Sequence, residues 1–148
     1  MSNHIMKIIP ADPYYRIAEQ TKNDIVDFLA SSVKADKIEV NIYDTPVFVD
    51  CGSNLESILC PLCGEAIDFD WWGDAMEAAQ ESEFMELSVK MPCCDGESTL
   101  NDLHYDFPCG FSCIEFCIQN PSNEPDHECL AKIQRLMGTP IRLIHAHL

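Results

Sequence analysis

"FSCIEFCIQN", residues 111–120, decides the fold, because two periods compete in it. Cys109, Cys113 and Cys117 recur at every fourth residue, which would place them on one face of a helix. Ile114, Phe116 and Ile118 alternate instead with Cys113, Glu115 and Cys117, which is the period of a strand. The dense β-branched and aromatic content and the Asn120-Pro121 that follows favour the strand.

Reading outward, Ser122 or Asn123 can cap a helix with Pro125 and Asp126 in its first turn. That helix has apolar Cys129, Leu130, Ile133, Leu136 and Met137, basic Lys132 and Arg135 late, and Gly138 as its stop. "TPIRLIHAHL", residues 139–148, closes the chain as a strand. In the other direction, His4 to Ile9 forms a short apolar strand ended by Pro10. Asp12 at an N-cap and Pro13 at the first helical position then predict an amphipathic helix to about Val33, with Ile17, Thr21, Ile25, Phe28 and Leu29 on its apolar stripe. In "KIEVNIYDTPVFVDCG", residues 37–52, Ile38, Val40 and Ile42 alternate before an Asp44-Thr45-Pro46 turn signal and Val47 to Val49. This predicts one long or two short strands.

The order strand, helix, strand, middle segment, strand, helix, strand predicts the α+β class. The expected form is a ferredoxin-like β-α-β … β-α-β sandwich with a zinc-ribbon-like segment, 51–106, inserted into a single domain, 1–148. The competing arrangement is a different α+β sheet packed by two helices on one face. A chain of 148 residues, 47% of them apolar, is long enough to bury a core covering roughly two-thirds of its unfolded surface, so a metal is not needed to hold the whole fold. No internal repeat or low-complexity linker divides it.

The middle segment carries the chemistry. "CPLCG", residues 60–64, places two thiols two residues apart on a tight turn, with Gly64 letting backbone N–H groups point at sulfur. "MPCCDG", residues 91–96, supplies a second pair, and Pro92 and Asp95-Gly96 provide the turn that lets adjacent cysteines reach one ion. The 29 residues between Cys63 and Cys93 leave room for a helix over Trp71 to Glu81 and a strand over Phe84 to Met91. Cys60, Cys63, Cys93 and Cys94 are therefore the expected ligands of one structural zinc. His104 is the nearest replacement if only one of the paired sulfurs reaches the ion, and Cys109, in "PCG", is the next. The competing reading treats these cysteines as small buried hydrophobes.

The formal charge is −16, from 25 acids against 9 bases. Between Glu65 and Asp106 twelve acids face one lysine, Lys90. Such a surface repels phosphate backbones and anionic membranes, so neither nucleic acid nor membrane is an expected partner, whereas a basic protein is. Excess acid also serves plain solubility. The start, MSNHIMKIIPADPYY, lacks the basic end, apolar run and cleavage site of a signal peptide, and no stretch approaches the ~18 apolar residues of a membrane span. A cytoplasmic location is expected. The nine cysteines are then thiols or metal ligands before they are disulfides.

"CPLCG", "PCC", "LNDLHYDFPCGF" followed by "IEFCIQNP", and the closing "LMGTPIRLIHAHL" resemble an uncharacterised family of small bacterial proteins with a zinc-ribbon-like cysteine set in an α/β body. The resemblance covers about residue 37 to the end. It implies a structural zinc and a bacterial cytoplasmic setting, and supplies no catalytic residue. The adjacent pair, Cys93 and Cys94, departs from the two knuckles of a zinc ribbon.

Two function classes follow. A zinc-stabilised interaction module would present the acidic segment to a basic protein, with Trp71 and Trp72 as anchors unless they pack the segment against the body. An enzyme would draw on His104, Tyr105 and Asp106 beside Cys109 for a thiol nucleophile, or on His145 and His147, which share a strand face, for a second metal. No HExxH, GxSxG, Walker-type loop or GxGxxG accompanies them, and histidines near a chain end are more often surface residues. Cys51, Cys109, Cys113, Cys117 and Cys129 fall outside the proposed site. Redox sensing and inert burial are both open to them, and their apolar neighbours favour burial.

Overall fold

The computed structural model describes residues 4–51 and 55–147. The side chain of His147, Gly52 of the second expected strand and Leu148 of the closing one lie outside the described residues. The architecture is α+β, with three helices and antiparallel sheets. Strands β1 (His4–Pro10), β2 (Lys37–Val49), β7 (Gly110–Gln119) and β8 (Ile141–His147) form one sheet in the order β2-β7-β1-β8. Every neighbouring pair in it is antiparallel. Helices α1 (Glu19–Ser32) and α3 (His127–Met137) lie in the connections, and both contribute to one apolar cluster with Met6, Ile8, Ile114, Phe116 and Ile118.

The stretch that decides the fold is the strand β7, buried along almost its whole length. Ile114, Phe116 and Ile118 face the helices. The other parity is covered too: Phe111 joins a cluster built by residues between β2 and β7, and the Cys113 thiol donates to the Pro13 carbonyl at 3.5 Å. Buried Glu115 accepts from Tyr43 Oη at 2.8 Å and Asn41 Nδ2 at 3.1 Å. A strand covered on both faces explains why cysteine fills the positions where a half-exposed strand would be polar.

Several boundaries differ from the sequence-based expectation. The first helix begins at Glu19, not Pro13, because Asp12 turns the chain instead of capping it. Its carboxylate accepts from the Tyr14 amide at 2.9 Å and its carbonyl from that of Tyr15. The following residues are tied elsewhere: Tyr15 Oη donates to the Met137 carbonyl, and Arg16 donates to the carbonyls of Tyr43 and Asp44. Asp126, expected inside the first turn of α3, is its N-cap and accepts from the Cys129 amide at 2.8 Å. Gly138 ends that helix at φ 79°, a conformation that strains any residue with a Cβ. The Asp44-Thr45-Pro46 signal is a bulge within one long strand, where the register with β7 shifts between Ile42 and Val47.

Between β2 and β7 lie β3 (Ile58–Leu59), α2 (Phe69–Gln80), β4 (Ser88–Lys90), β5 (Glu97–Thr99) and β6 (His104–Tyr105). The strand expected from Phe84 is only β4, since Glu83 and Phe84 adopt φ of 56° and 59° and belong to a turn. Asn101 joins this segment to the body. Its Nδ2 donates to the Ala11 carbonyl, and its Oδ1 accepts from the Phe111 amide and from Arg142. Gly110 sits against this junction because a Cβ there would lie 2.6 Å from Arg142 Nη1 and 2.9 Å from Asn101 Oδ1.

Candidate metal centre

Cys60 follows β3, and its turn is closed by two backbone bonds: the Cys60 amide donates to the Glu65 carbonyl at 2.8 Å, and the Gly64 amide to the Cys60 carbonyl at 3.0 Å. The turn between β4 and β5 has the same pattern 31 residues on. The Met91 amide donates to the Gly96 carbonyl at 2.8 Å, and the Asp95 amide to the Met91 carbonyl at 3.0 Å. Gly64 at φ 81° and Asp95 at φ 60° take the same left-handed position. The flanking pairs Leu59–Ala66 and Lys90–Glu97 match as well.

The two hairpin tips are thus backbone equivalents, and their alignment explains the adjacent cysteines. Pro61 corresponds to Pro92 and Cys63 to Cys94. Cys93 stands where the first tip has Leu62, and Met91 stands where it has Cys60. Met91 and Cys60 are both buried in the same apolar cluster. The second tip therefore spends its inner position on packing and recovers its second sulfur two residues later. The tips approach so closely that a Cβ on Gly96 would collide with the end of the Leu62 side chain and lie 3.4 Å from the Cys94 sulfur.

The Sγ atoms of Cys60, Cys63, Cys93 and Cys94 all lie within 4.8 Å of one another, and this group could hold a metal ion. Cys60 Sγ is 3.9 Å from Cys94 Sγ, and Cys63 Sγ 3.3 Å from Cys93 Sγ. Tetrahedral thiolate coordination of zinc, at about 2.3 Å per bond, puts sulfurs about 3.8 Å apart. The donor set fits such an ion. Burial opposes charge on Cys60, yet the backbone N–H groups of Cys63 and Leu62, with the Cys93 and Cys63 thiols, bring its pKa down to about 7. Cys93 is pushed up to about 12, by desolvation first and then by its bonds to Cys63 and Cys60. At Cys94 the Gly96 amide is the largest single influence and lowers the pKa, as does Cys93, but desolvation and the bonds to Cys60 and Cys63 together raise it. A divalent cation would replace these shared protons.

His104, on β6, is exposed and pairs with Leu59 in register, and it is not part of the sulfur group. Cys109 is likewise outside that group and is buried. Among the described residues no other group of three or more metal-ligating side chains converges. His145 meets a residue that its own strand does not reveal: His4 Nε2 lies 3.0 Å from His145 Nδ1, with the rings stacked, and Glu124 lies 3.5 Å from His145 Nε2. The signal for it was the register of β1 on β8, which pairs His4 with His147. The side chain of His147 lies outside the described residues.

Trp71 and Trp72 are half-buried against the segment's apolar cluster, not free anchors. Trp72 Nε1 donates to Tyr105 Oη at 3.2 Å, and its ring meets Phe48 of β2 edge-on at 5.7 Å. It packs the segment onto the body. No family model matches the chain, and no curated protein or solved structure matches it. No helix among the described residues is long and apolar enough to cross a membrane.

Proposed function

We propose that the chain binds one zinc ion as a structural metal through Cys60, Cys63, Cys93 and Cys94, and that the segment it fixes docks a basic protein. The observation that carries the metal reading is the convergence of four thiols from two backbone-equivalent hairpin tips. Thiolates in a tetrahedral set favour zinc over hard cations, and four protein sulfurs leave no open position for water or substrate. The ion would supply folding energy to residues 51–106.

The order β2-β7-β1-β8, antiparallel throughout, supports reading the body as a ferredoxin-like sandwich, with 51–106 inserted between its halves in a single domain. The docking reading is supported by charge. Asp70, Asp74, Glu77 and Glu81 are exposed along or beside α2, within a chain of net charge −16. Nucleic acid is not a partner on this reading, and the setting is the bacterial cytoplasm that the family resemblance implies. Enzymatic chemistry at Cys109 has less support, since burial and the neighbouring Cys51 push that thiol far above its ordinary range.

Elemental analysis of protein purified without chelator tests the metal: one zinc per chain is expected, and none overturns the reading. Binding of a lysine-rich polypeptide tests the surface. Association should slow as salt rises and weaken when Asp74, Glu77 and Glu81 are reversed in charge, with the zinc retained. Binding unchanged by those reversals moves the interaction to another face.

A further inference from the structure

We propose that His4 and His145 are the two ligands of a second, exchangeable metal site in the body, for a divalent zinc or nickel ion, where the start of β1 meets the end of β8. His4 Nε2 lies 3.0 Å from His145 Nδ1. The two residues stand diagonally on neighbouring antiparallel strands, since the register pairs Met6 with His145 and His4 with His147. Diagonal neighbours on one sheet face are within reach of ring side chains. The His4 backbone is held on both sides by Asn120: the His4 amide donates to Asn120 Oδ1 at 3.0 Å, and the Asn120 amide donates to the His4 carbonyl at 2.7 Å. The His145 side chain is 27% exposed, so an ion reaches the pair from solvent without opening the core.

Two imidazole nitrogens this close share one proton between them. Glu124 Oε1, 3.5 Å from His145 Nε2, favours the tautomer with the proton on Nε2, which leaves the Nδ1 lone pair on the side of His4. A carboxylate behind the far nitrogen is the arrangement that orients a metal-ligating histidine and raises its basicity. Zinc bonded to two imidazoles at about 2.0–2.1 Å in a tetrahedron sets their nitrogens about 3.3–3.4 Å apart, so the rings part by only a few tenths of an ångström when the ion replaces the shared proton. Imidazole suits zinc and nickel alike. The chain supplies two nitrogens and water fills the other positions, so this ion is held more loosely than one in the four-sulfur group and leaves on dialysis. One zinc per chain therefore remains the expectation for dialysed protein. Bound, the second ion ties β1 to β8.

The test titrates nickel chloride into the full chain loaded with one equivalent of zinc, follows zinc release, and maps paramagnetic broadening of the backbone amide signals by NMR. Broadening centred on residues 4–6 and 143–146, with the zinc retained, is the expected result. His145→Ala should weaken nickel binding at least tenfold, and Glu124→Gln, which leaves both nitrogens in place, by about tenfold. Because the site uses no sulfur, the map is read at those residues whatever the four cysteines hold, and the wild-type map decides the matter even if a variant folds poorly. Broadening confined to 60–64 and 91–96, no binding at millimolar nickel, or binding that keeps its strength in His145→Ala would overturn the proposal.

Discussion

β7 is ten residues long and bonded to a strand on each side, whereas β3 and β6 have two residues each and β4 and β5 three. The body closes its sheet with backbone ladders and two helices. The segment between β2 and β7 cannot do so, because hairpins this short fix too few backbone groups to offset the entropy of ordering them. What it has instead is a sulfur group at the hairpin tips and an aromatic contact, Phe48 with Trp72 and Phe111, at the other end. A sulfur group that could hold a metal, and side-chain packing, stand where the ladder is too short to hold the chain.

Removing the proposed zinc is the strongest way to test this contrast. Chelation at neutral pH should raise amide exchange in residues 58–105 by about tenfold or more while β1, β7 and β8 keep their protection. Uniform acceleration across the chain would erase the distinction between the two regions. Phe111→Ala comes next, at about 3–5 kcal/mol, because this buried ring packs against Phe48 and Phe84. Denaturant melts followed by exchange should show the segment loosening with it, whereas Phe116→Ala, facing the helices, should destabilise the body. Gly110→Ala should cost about 1–3 kcal/mol by displacing Arg142 and Asn101, measurable as a lower denaturation midpoint. Smallest is the charge reversal of Asp74, Glu77 and Glu81, expected to change stability by about 0.5 kcal/mol or less per site, since all three are exposed.

The body was readable because its signals are local and periodic. The alternation at Ile114, Phe116 and Ile118 and the Gly138 stop of α3 each depend on a few adjacent residues. The sulfur group was readable for the same reason, since both thiol pairs lie in turns. The start of α1 was misread because Asp12-Pro13 has the composition of a helix cap and of a turn, and the bonds that choose between them come from Met137, Tyr43 and Asp44, far along the chain. The inward packing of Trp72 and the pairing of His4 with His145 depend on partners 33 and 141 residues distant. The equivalence of the two hairpins was hidden because Met91 occupies the position of a cysteine.

That methionine has a consequence for the traffic of ions. Because Met91 takes the buried place on the second tip, both cysteines there are exposed, as Cys63 is on the first, and of the four sulfurs Cys60 alone is buried. With the proposed zinc in place, an incoming chelator or a softer competing ion would engage the rim sulfurs one at a time before Cys60 let go, so exchange would proceed by stepwise substitution without opening the apolar cluster beneath. Occupancy would then follow the free metal concentration around the protein throughout its lifetime, instead of being set once when the chain folds.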